Sequence, residues 1–349
     1  MEKINVLVLG VGGNVGQGII TALRISKLPI KIIGACVSPE SLGLYMSDTA
    51  YVSPYADDET FIDWVIEICN KESVSIIFTG VEEIIFALEL NKEKLQKNTN
   101  CIFISSEIEK LEIANNKYLT AKFLKKNGLN YPESANLSDL SATKELIKRC
   151  GFPLIAKPNM GKGSIGIVRL NSEKDLYKIQ EDKYCIQEYL GDDNNEYTVG
   201  CYVDKSGNQK EIIIFRRKLK YGTTFMAEIV ENKIIEDECR KICHAFKPRG
   251  PLNIQLRLHK GKPICFELNV RYSGTTPIRA KFGYNDVEAM IKEYVLQESI
   301  ENFLNPLKMG KAYRYFNEFY IDLNMQDDLK KVGYIANTNE FNNYQENKL

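Results

Sequence analysis

The sequence predicts a doubly wound α/β domain followed by an α+β region built on antiparallel strands. Three observations predict it. The chain opens with a continuous apolar run, Ile4–Leu9, which passes through Gly10-Val11-Gly12-Gly13-Asn14-Val15-Gly16 into a helical stretch and a second apolar run, Ile30–Cys36. In the middle, Leu154–Lys157 runs into a glycine-rich loop and back into an extended segment. Further on, Asn253–Leu258 and Phe266–Arg271 alternate apolar with polar on either side of the turn His259-Lys260-Gly261-Lys262-Pro263. Continuous apolar strands belong to parallel sheets covered on both faces, whereas alternating strands belong to sheets with one solvated face.

Composition narrows the class. At 349 residues the chain is too long for one small core, so two or three domains are expected. Lys+Arg and Asp+Glu are both 46, and a net charge of zero argues against a nucleic-acid binder driven by bulk charge. No apolar run is long enough to span a membrane, and the N-terminus enters a strand directly, without a signal peptide. Nine cysteines, an odd number without framework spacing, fit a reducing cytoplasm. Cys239, Cys243 and His244 suggest a metal site at first sight. However, Ile235, Cys239, Ile242, Cys243 and Phe246 fall on one helical stripe, which reads as core. With two histidines in the chain, a histidine-rich metal site is all but excluded.

Residues 1–36 form a βαβ opening of Rossmann type. Helices over Phe61–Asn70 and Glu82–Leu90, with strands over Val74–Thr79 and Cys101–Ile104, complete a domain ending near residue 105. Dinucleotide binding is weakened twice. The third glycine position of G-x-G-x-x-G is Val15, and the second strand ends Gly34-Ala35-Cys36 with no acid for a ribose hydroxyl. The glycines read as a tight turn, and an anionic substrate group at the helix N-terminus stays open.

A helical connector over 107–128 leads to Leu154-Ile155-Ala156-Lys157-Pro158, followed by the loop Asn159–Gly166. Glycines let backbone N–H groups approach phosphate, and a lysine adds a point charge. The loop is not a P-loop, because a strand follows it; alone, it reads more readily as a flexible surface turn. Cys185–Leu190 and Glu196–Val203 are further strands, and Glu211–Arg217 carries the basic run Arg216-Arg217-Lys218. In the late hairpin, Phe266, Leu268 and Val270 face a core, while Glu267, Asn269 and Arg271 share the other face. Pairing parity sets Gln255 opposite Glu267. Oxygen donors in a row suit Mg²⁺ and a guanidinium suits phosphate. An ordinary hairpin with a solvated face is the plainer reading. Tyr313–Ile321 reads as an added aromatic strand, and the last dozen residues as a fraying tail.

Taken in order, these pieces resemble the ATP-grasp superfamily, and within it single-unit proteins related to the carbamoyl-phosphate synthase large chain. The resemblance covers about 1–300. It rests on the glycine-rich opening, Lys117 in Asn-Lys-Tyr, Lys157 in Lys-Pro, the loop 160–166, Gln187-Glu188-Tyr189-Leu190, Glu196-Tyr197-Thr198-Val199, Asn253-Ile254-Gln255, Glu267–Arg271 and Ala280–Tyr284. It implies a Rossmann-like pre-ATP-grasp domain (1–105), a connector helix and small lobe (106–190), a large lobe (191–300) and an extension (301–349).

The resemblance also implies roles. Lys117 and Lys157 contact ATP phosphates, and Gly161, Lys162, Gly163 and Ser164 belong to a lid over them. Glu188 and Leu190 read adenine through backbone groups, with Gln187 and Tyr189 beside them. Glu196 accepts from the ribose, while Gln255, Glu267 and Asn269 hold Mg²⁺, with Mn²⁺ as a substitute. Arg271 stabilises the transferring phosphoryl group together with Lys157 and with Arg216 or Lys218. The implied activity is an ATP- and Mg²⁺-dependent carboxylate–amine ligase working through an acyl phosphate on small-molecule carboxylate and amine substrates. It would work in the cytoplasm, without nucleic acid or membrane, and a homodimer is a guess. The alternatives are an enzyme that phosphorylates bicarbonate or another carboxylate, and a non-catalytic ATP-binding sensor. One ATP-grasp unit stands where the synthase has two, and Tyr272–Pro277 departs from it, so carbamoyl phosphate is a doubtful product.

Overall fold

The structure is a computed structural model that describes residues 3–336, apart from 162, 164, 180–182 and 192. Lys162 and Ser164 of the expected lid, and the tail beyond Ala336, lie outside the described residues. The chain divides into two compact units. The first runs to Ile108 and takes in Arg271–Pro306 and the chain from Tyr315 onward; the second comprises Glu109–Val270 and Leu307–Arg314.

In the first unit, β1 (Ile4–Leu9), β2 (Ile30–Cys36), β3 (Thr49–Val52) and β4 (Ile76–Thr79) are parallel, in the order β3-β2-β1-β4. The central β1 is sealed on both faces, with Val6, Leu7 and Val8 at 0% exposure, as its unbroken apolar run requires. The helix Asn14–Ile25 follows β1. Gly16 lets it start so close to the turn, since a Cβ there would lie 2.5 Å from the Gly10 carbonyl oxygen. The expected strand Cys101–Ile104 reduces to one bridge, Ile102 beside Ile76.

The sequence boundaries placed 271–300 in the large lobe, whereas Arg271–Pro306 belongs to the first unit. Packing explains the difference. Pro277, at the start of the helix Thr276–Lys281, sits over Gly18, where a Cβ would come within 2.8 Å of it, and Asn285 donates to the Ala22 carbonyl at 2.9 Å.

The second unit holds two sheets. The smaller has the order β5-β8-β6-β7, from β5 (Ser134–Asn136), β6 (Leu154–Pro158), β7 (Val168–Leu170) and β8 (Tyr184–Glu188). The helix Leu140–Cys150 covers one face through Leu146, packed on Ala135, Leu154, Ala156, Leu170 and Ile186. The larger comprises β9 (Glu196–Val203), β10 (Ile213–Lys220), β11 (Thr223–Ile229), β12 (Gly250–His259), β13 (Lys262–Asn269) and β14 (Lys311–Tyr313), in the order β13-β12-β9-β10-β11-β14. The helix Lys233–Phe246 covers it with the expected stripe: Ile235, Cys239, Ile242, Cys243 and Phe246 are buried and His244 is exposed.

The predicted strand Tyr313–Ile321 is corrected. Only Lys311–Tyr313 pairs, and Tyr315 and Phe316 stand exposed instead of packing. The chain then returns to the first unit through the helix Leu323–Val332 and β15 (Tyr334–Ala336), which runs antiparallel to β3.

Candidate functional site

A cavity of about 410 Å³ lies within the second unit, lined from both of its sheets. Its floor is two neighbouring rungs of the larger sheet. In one, Glu196 of β9 faces Arg257 of β12, and Arg217 of β10 reaches Glu196 from the other side. In the next, Thr198, Gln255 and Glu267 stand in line across β9, β12 and β13, as the hairpin parity predicts for Gln255 and Glu267. The two-residue period of strands puts all of these on one face. The turn Lys260–Gly261, with φ of 49° and 77°, closes the β12–β13 hairpin and sets that register.

The floor is a continuous polar network. Arg217 Nε and Nη2 donate to Glu196 Oε1 at 2.9 and 2.7 Å. Arg257 Nε and Nη2 donate to Glu196 Oε2 at 3.0 and 2.6 Å, and its Nη1 donates to the Gly191 carbonyl at 2.6 Å. Burial raises the Glu196 pKa, but the Arg217 and Arg257 guanidiniums outweigh burial and hold the carboxyl below its ordinary range. Arg217 Nη2 also donates to Gln255 Oε1 at 2.5 Å. Gln255 Nε2 and Asn269 Nδ2 both donate to Glu267 Oε1 at 2.9 Å.

The upper wall comes from the smaller sheet. Lys157, at the end of β6, lies 4.7 Å from the centre of the Phe266 ring. Burial pushes its pKa down to about 8, against the pull of Glu267. The ammonium thus stands half-buried at the cavity wall, where a phosphate would offset the cost of its burial. Lys117 is buried at the first turn of its helix, whose N-cap Asn116 accepts from the N–H groups of Tyr118 and Leu119. Its Nζ donates to the Gly161 carbonyl at 3.0 Å, tying the helix to the glycine loop. That loop meets the β10–β11 turn: a Cβ on Gly222 would lie 2.4 Å from the Gly163 carbonyl oxygen.

The cavity lining includes Lys117, Lys157, Gly161, Gly163, Glu188, Tyr189, Leu190, Glu196, Gln255 and Glu267. Asn269 reaches the same network through Glu267. Gln187 is buried beside the cavity wall, donating to Ser134 Oγ at 3.1 Å, and its Oε1 has no hydrogen-bond partner. The Glu188 N–H is taken by the Glu133 carbonyl at 2.9 Å, so it is not on offer to a base. Arg216 and Lys218 alternate with Arg217 along β10 and are exposed on the other face, where Arg216 pairs with Glu228 at 2.7 Å. Neither lines this cavity. Arg271 belongs to the first unit and forms an ion pair with Glu82.

Phe266, Arg217 and Arg257 are among the cavity residues that escaped the sequence reading. Phe266 was assigned to the core, yet it lines the cavity. Between Gln255 and Leu256 the pairing skips from Glu267 to Cys265, so Phe266 is the extra residue of a bulge and leaves the core side. Arg217 and Arg257 share the parity of Glu196 and Gln255 across the paired strands, a signal that becomes readable once the pairing is known.

The residues fit a bound Mg²⁺ in donor chemistry. Glu267 offers a carboxylate, and Gln255 and Asn269 offer amide oxygens if their amides turn over. Among the described residues, no group of three or more His, Cys, Asp or Glu side chains could hold a metal. A site with one carboxylate relies on amides and on the nucleotide's own phosphates.

Family models match both parts of the chain. Residues 6–102 match "PylC-like, N-terminal domain", and residues 180–312 match "ATP-grasp in the biosynthetic pathway with Ter operon". The chain carries an ATP-grasp domain behind a PylC-like N-terminal domain. This ATP-grasp protein is homologous to carbamoyl phosphate synthase large chains. It is 25% identical to that of Methanosarcina barkeri over 309 residues, covering 80% of this chain and 28% of the relative, and 22% identical to that of Clostridium perfringens over 331 residues, covering 86% and 30%. The chain thus spans well under a third of either relative. In fold it is similar to the N5-carboxyaminoimidazole synthetase of Staphylococcus aureus complexed with ADP: the TM-score is 0.70 at 17% identity, over 88% of this chain and 81% of that one. It is also similar to the biotin carboxylase domain dimer of Hydrogenobacter thermophilus 2-oxoglutarate carboxylase, in complex with MgADP, ADP and bicarbonate: the TM-score is 0.67 at 16% identity, over 84% and 70%. No helix among the described residues is long and apolar enough to cross a membrane.

Proposed function

We propose that this ATP-grasp protein is an ATP- and Mg²⁺-dependent carboxylate–amine ligase that works through an acyl phosphate. The observation that carries the reading is the meeting, in one cavity, of two lysines and a glycine loop with a row of oxygen donors around Glu267. Phosphoryl transfer asks for positioning and charge neutralisation more than for a protein nucleophile, and the cavity offers both.

ATP enters between the two sheets. Lys117 and Lys157 hold its phosphates, and phosphate binding offsets the burial that lowers the Lys157 pKa. The aromatic face of Phe266 and the apolar side chains of Leu190 and Ile155 line the wall for the base. The buried Gln187 Oε1 is an acceptor for an exocyclic amine. Mg²⁺, when bound, spreads the charge of the phosphates. Gln255, Glu267 and Asn269 hold that ion, and the 161–166 loop excludes water. A substrate carboxylate oxygen bonds to the γ-phosphorus as the bond to ADP breaks. An amine then attacks the acyl carbon, the C–O bond to phosphate breaks, and the amine loses a proton. Arg271 is kept as the proposed stabiliser of the transferring phosphoryl group, as the resemblance implies.

The test is hydroxylamine trapping. Pools of small carboxylates are mixed with protein, Mg²⁺-ATP and hydroxylamine, following hydroxamate and ADP. Hydroxamate from one pool, lost in Glu267→Gln, is the expected result. ADP release driven by bicarbonate alone, without hydroxamate, would replace the ligase with a bicarbonate-phosphorylating enzyme. Nucleotide binding without turnover in any pool would leave a sensor.

A further inference from the structure

Arg217 joins the Glu196 and Gln255 parts of the cavity floor through one guanidinium. Its Nε and Nη2 hold Glu196 Oε1, while the same Nη2 holds Gln255 Oε1 at 2.5 Å. Nη1 is 3.5 Å from Thr224 Oγ1. Both partners are buried, the Arg217 side chain 9% exposed and that of Glu196 4%.

The chemistry of an amide makes this consequential. A guanidinium only donates, so the Gln255 atom that meets it is the oxygen. The Gln255 nitrogen is thereby turned to Glu267, where Nε2 donates to Oε1 at 2.9 Å. A cation beside Glu267 needs the reverse, with the amide oxygen toward the ion. Turning the amide over would set its N–H₂ against the Arg217 N–H, two donors facing each other with no acceptor between. As long as Arg217 keeps its place, Gln255 presents hydrogens to the metal position and Oε1 of its carboxylate partner is already engaged.

We propose that Arg217 is a positioning residue that makes cation binding conditional on the nucleotide. This rests on the ligase reading of the cavity. Before nucleotide arrives, Arg217 locks Gln255 in the orientation that closes the cation position. An anionic nucleotide gives the guanidinium another acceptor. The contact to Gln255 is then released, and the amide turns its oxygen to the ion. Nucleotide and cation thus tighten each other's binding, and by linkage the factor is the same in both directions. Arg217 sits on the wall side of Gln255, not among the proposed metal donors, and acts through it.

Mn²⁺ is the probe, followed by electron paramagnetic resonance of the free ion, with ADP as nucleotide. In the wild type, Mn²⁺ binds the nucleotide-free protein weakly and ADP tightens it. In Arg217→Met, Mn²⁺ binding without nucleotide should tighten about tenfold or more, the worth of one charge-assisted hydrogen bond no longer broken, and the added effect of ADP should shrink. A gain of affinity on removing a side chain is an outcome that a merely structural role does not produce. If Arg217→Met unfolds because Glu196 loses a partner, the double variant Arg217→Met with Glu196→Gln removes the buried charge as well, and its Mn²⁺ binding without nucleotide is read in the same way. Arg217→Lys, which keeps the charge but lacks the fork, should fall between wild type and Met. A folded Met variant that binds Mn²⁺ no more tightly than wild type, while wild type still responds to ADP, overturns this inference and leaves the ligase reading standing. A wild type that binds neither Mn²⁺ nor ADP overturns both.

Discussion

Arg279 with Asp286 in the first unit, and Arg217 and Arg257 with Glu196 in the second, are both guanidinium–carboxylate groupings taken out of water. They are built differently. Arg279 and Asp286 form a sealed pair, 2.7 Å apart with side chains 1% and 0% exposed, and Arg279 also donates to Ser273 and Thr276. Burial raises the Asp286 pKa there, and the one guanidinium does not offset it. Glu196 has a guanidinium on each oxygen, its pKa is lowered, and the network opens into a cavity through Arg257 and Gln255. One partner in a closed site gives a structural knot that strains its carboxylate. Two partners at a cavity wall give a carboxylate held ionised and fixed in place.

Breaking the sealed pair should have the largest effect. Arg279→Met leaves a carboxylate buried alone, with an expected loss of about 3–5 kcal/mol in urea unfolding. Pairing it with Asp286→Leu should return most of that, since apolar groups of similar volume replace a buried pair at little cost.

Glu196→Gln comes next. Two guanidiniums then meet a neutral amide, and ADP affinity should fall about tenfold, the worth of a charged hydrogen bond. The pH dependence separates the two sites. The Glu196 pKa is lower folded than unfolded, so its stabilisation is present above the unfolded value and is lost as pH falls through the folded one. The stability gap between wild type and Glu196→Gln should therefore hold at neutral pH and close in acid. Asp286, raised on folding, has the opposite sign: its contribution is present below its unfolded pKa and is lost as pH rises through the folded one. A gap that widens in acid would contradict the Glu196 assignment.

The smallest effect is expected on the outer face of β10. Arg216→Ala removes only an exposed pair with Glu228, so ADP affinity should change less than about twofold. A large loss would bring Arg216 back into the phosphoryl chemistry first assigned to it.

Much of the second unit's site was legible because strand parity is strict. Once Asn253–Leu258 and Phe266–Arg271 are read as a hairpin, Gln255 must come near Glu267. Phe266 was not legible, since a bulge adds one residue and nothing in an alternating sequence marks where. The run Arg216-Arg217-Lys218 holds two parities, and only pairing with β9 shows that Arg217 is the inward one. Arg271–Pro306 continues the hairpin in sequence but packs in the first unit, because Gly18 makes room for Pro277, a match between distant positions that local pattern does not reveal.

The return of the chain to the first unit has a consequence for handling the protein. β15 occupies the outer edge of the sheet beside β3, where Tyr334 stacks on Tyr51 with ring centres 4.7 Å apart and Lys71 lies over both rings. Without those three residues, β3 would present bare N–H and C=O groups along a short apolar edge, a template for another copy's strand. A truncation after Gly333 would therefore be expected to promote self-association, and a fusion placed immediately after Val332 would displace a structural strand.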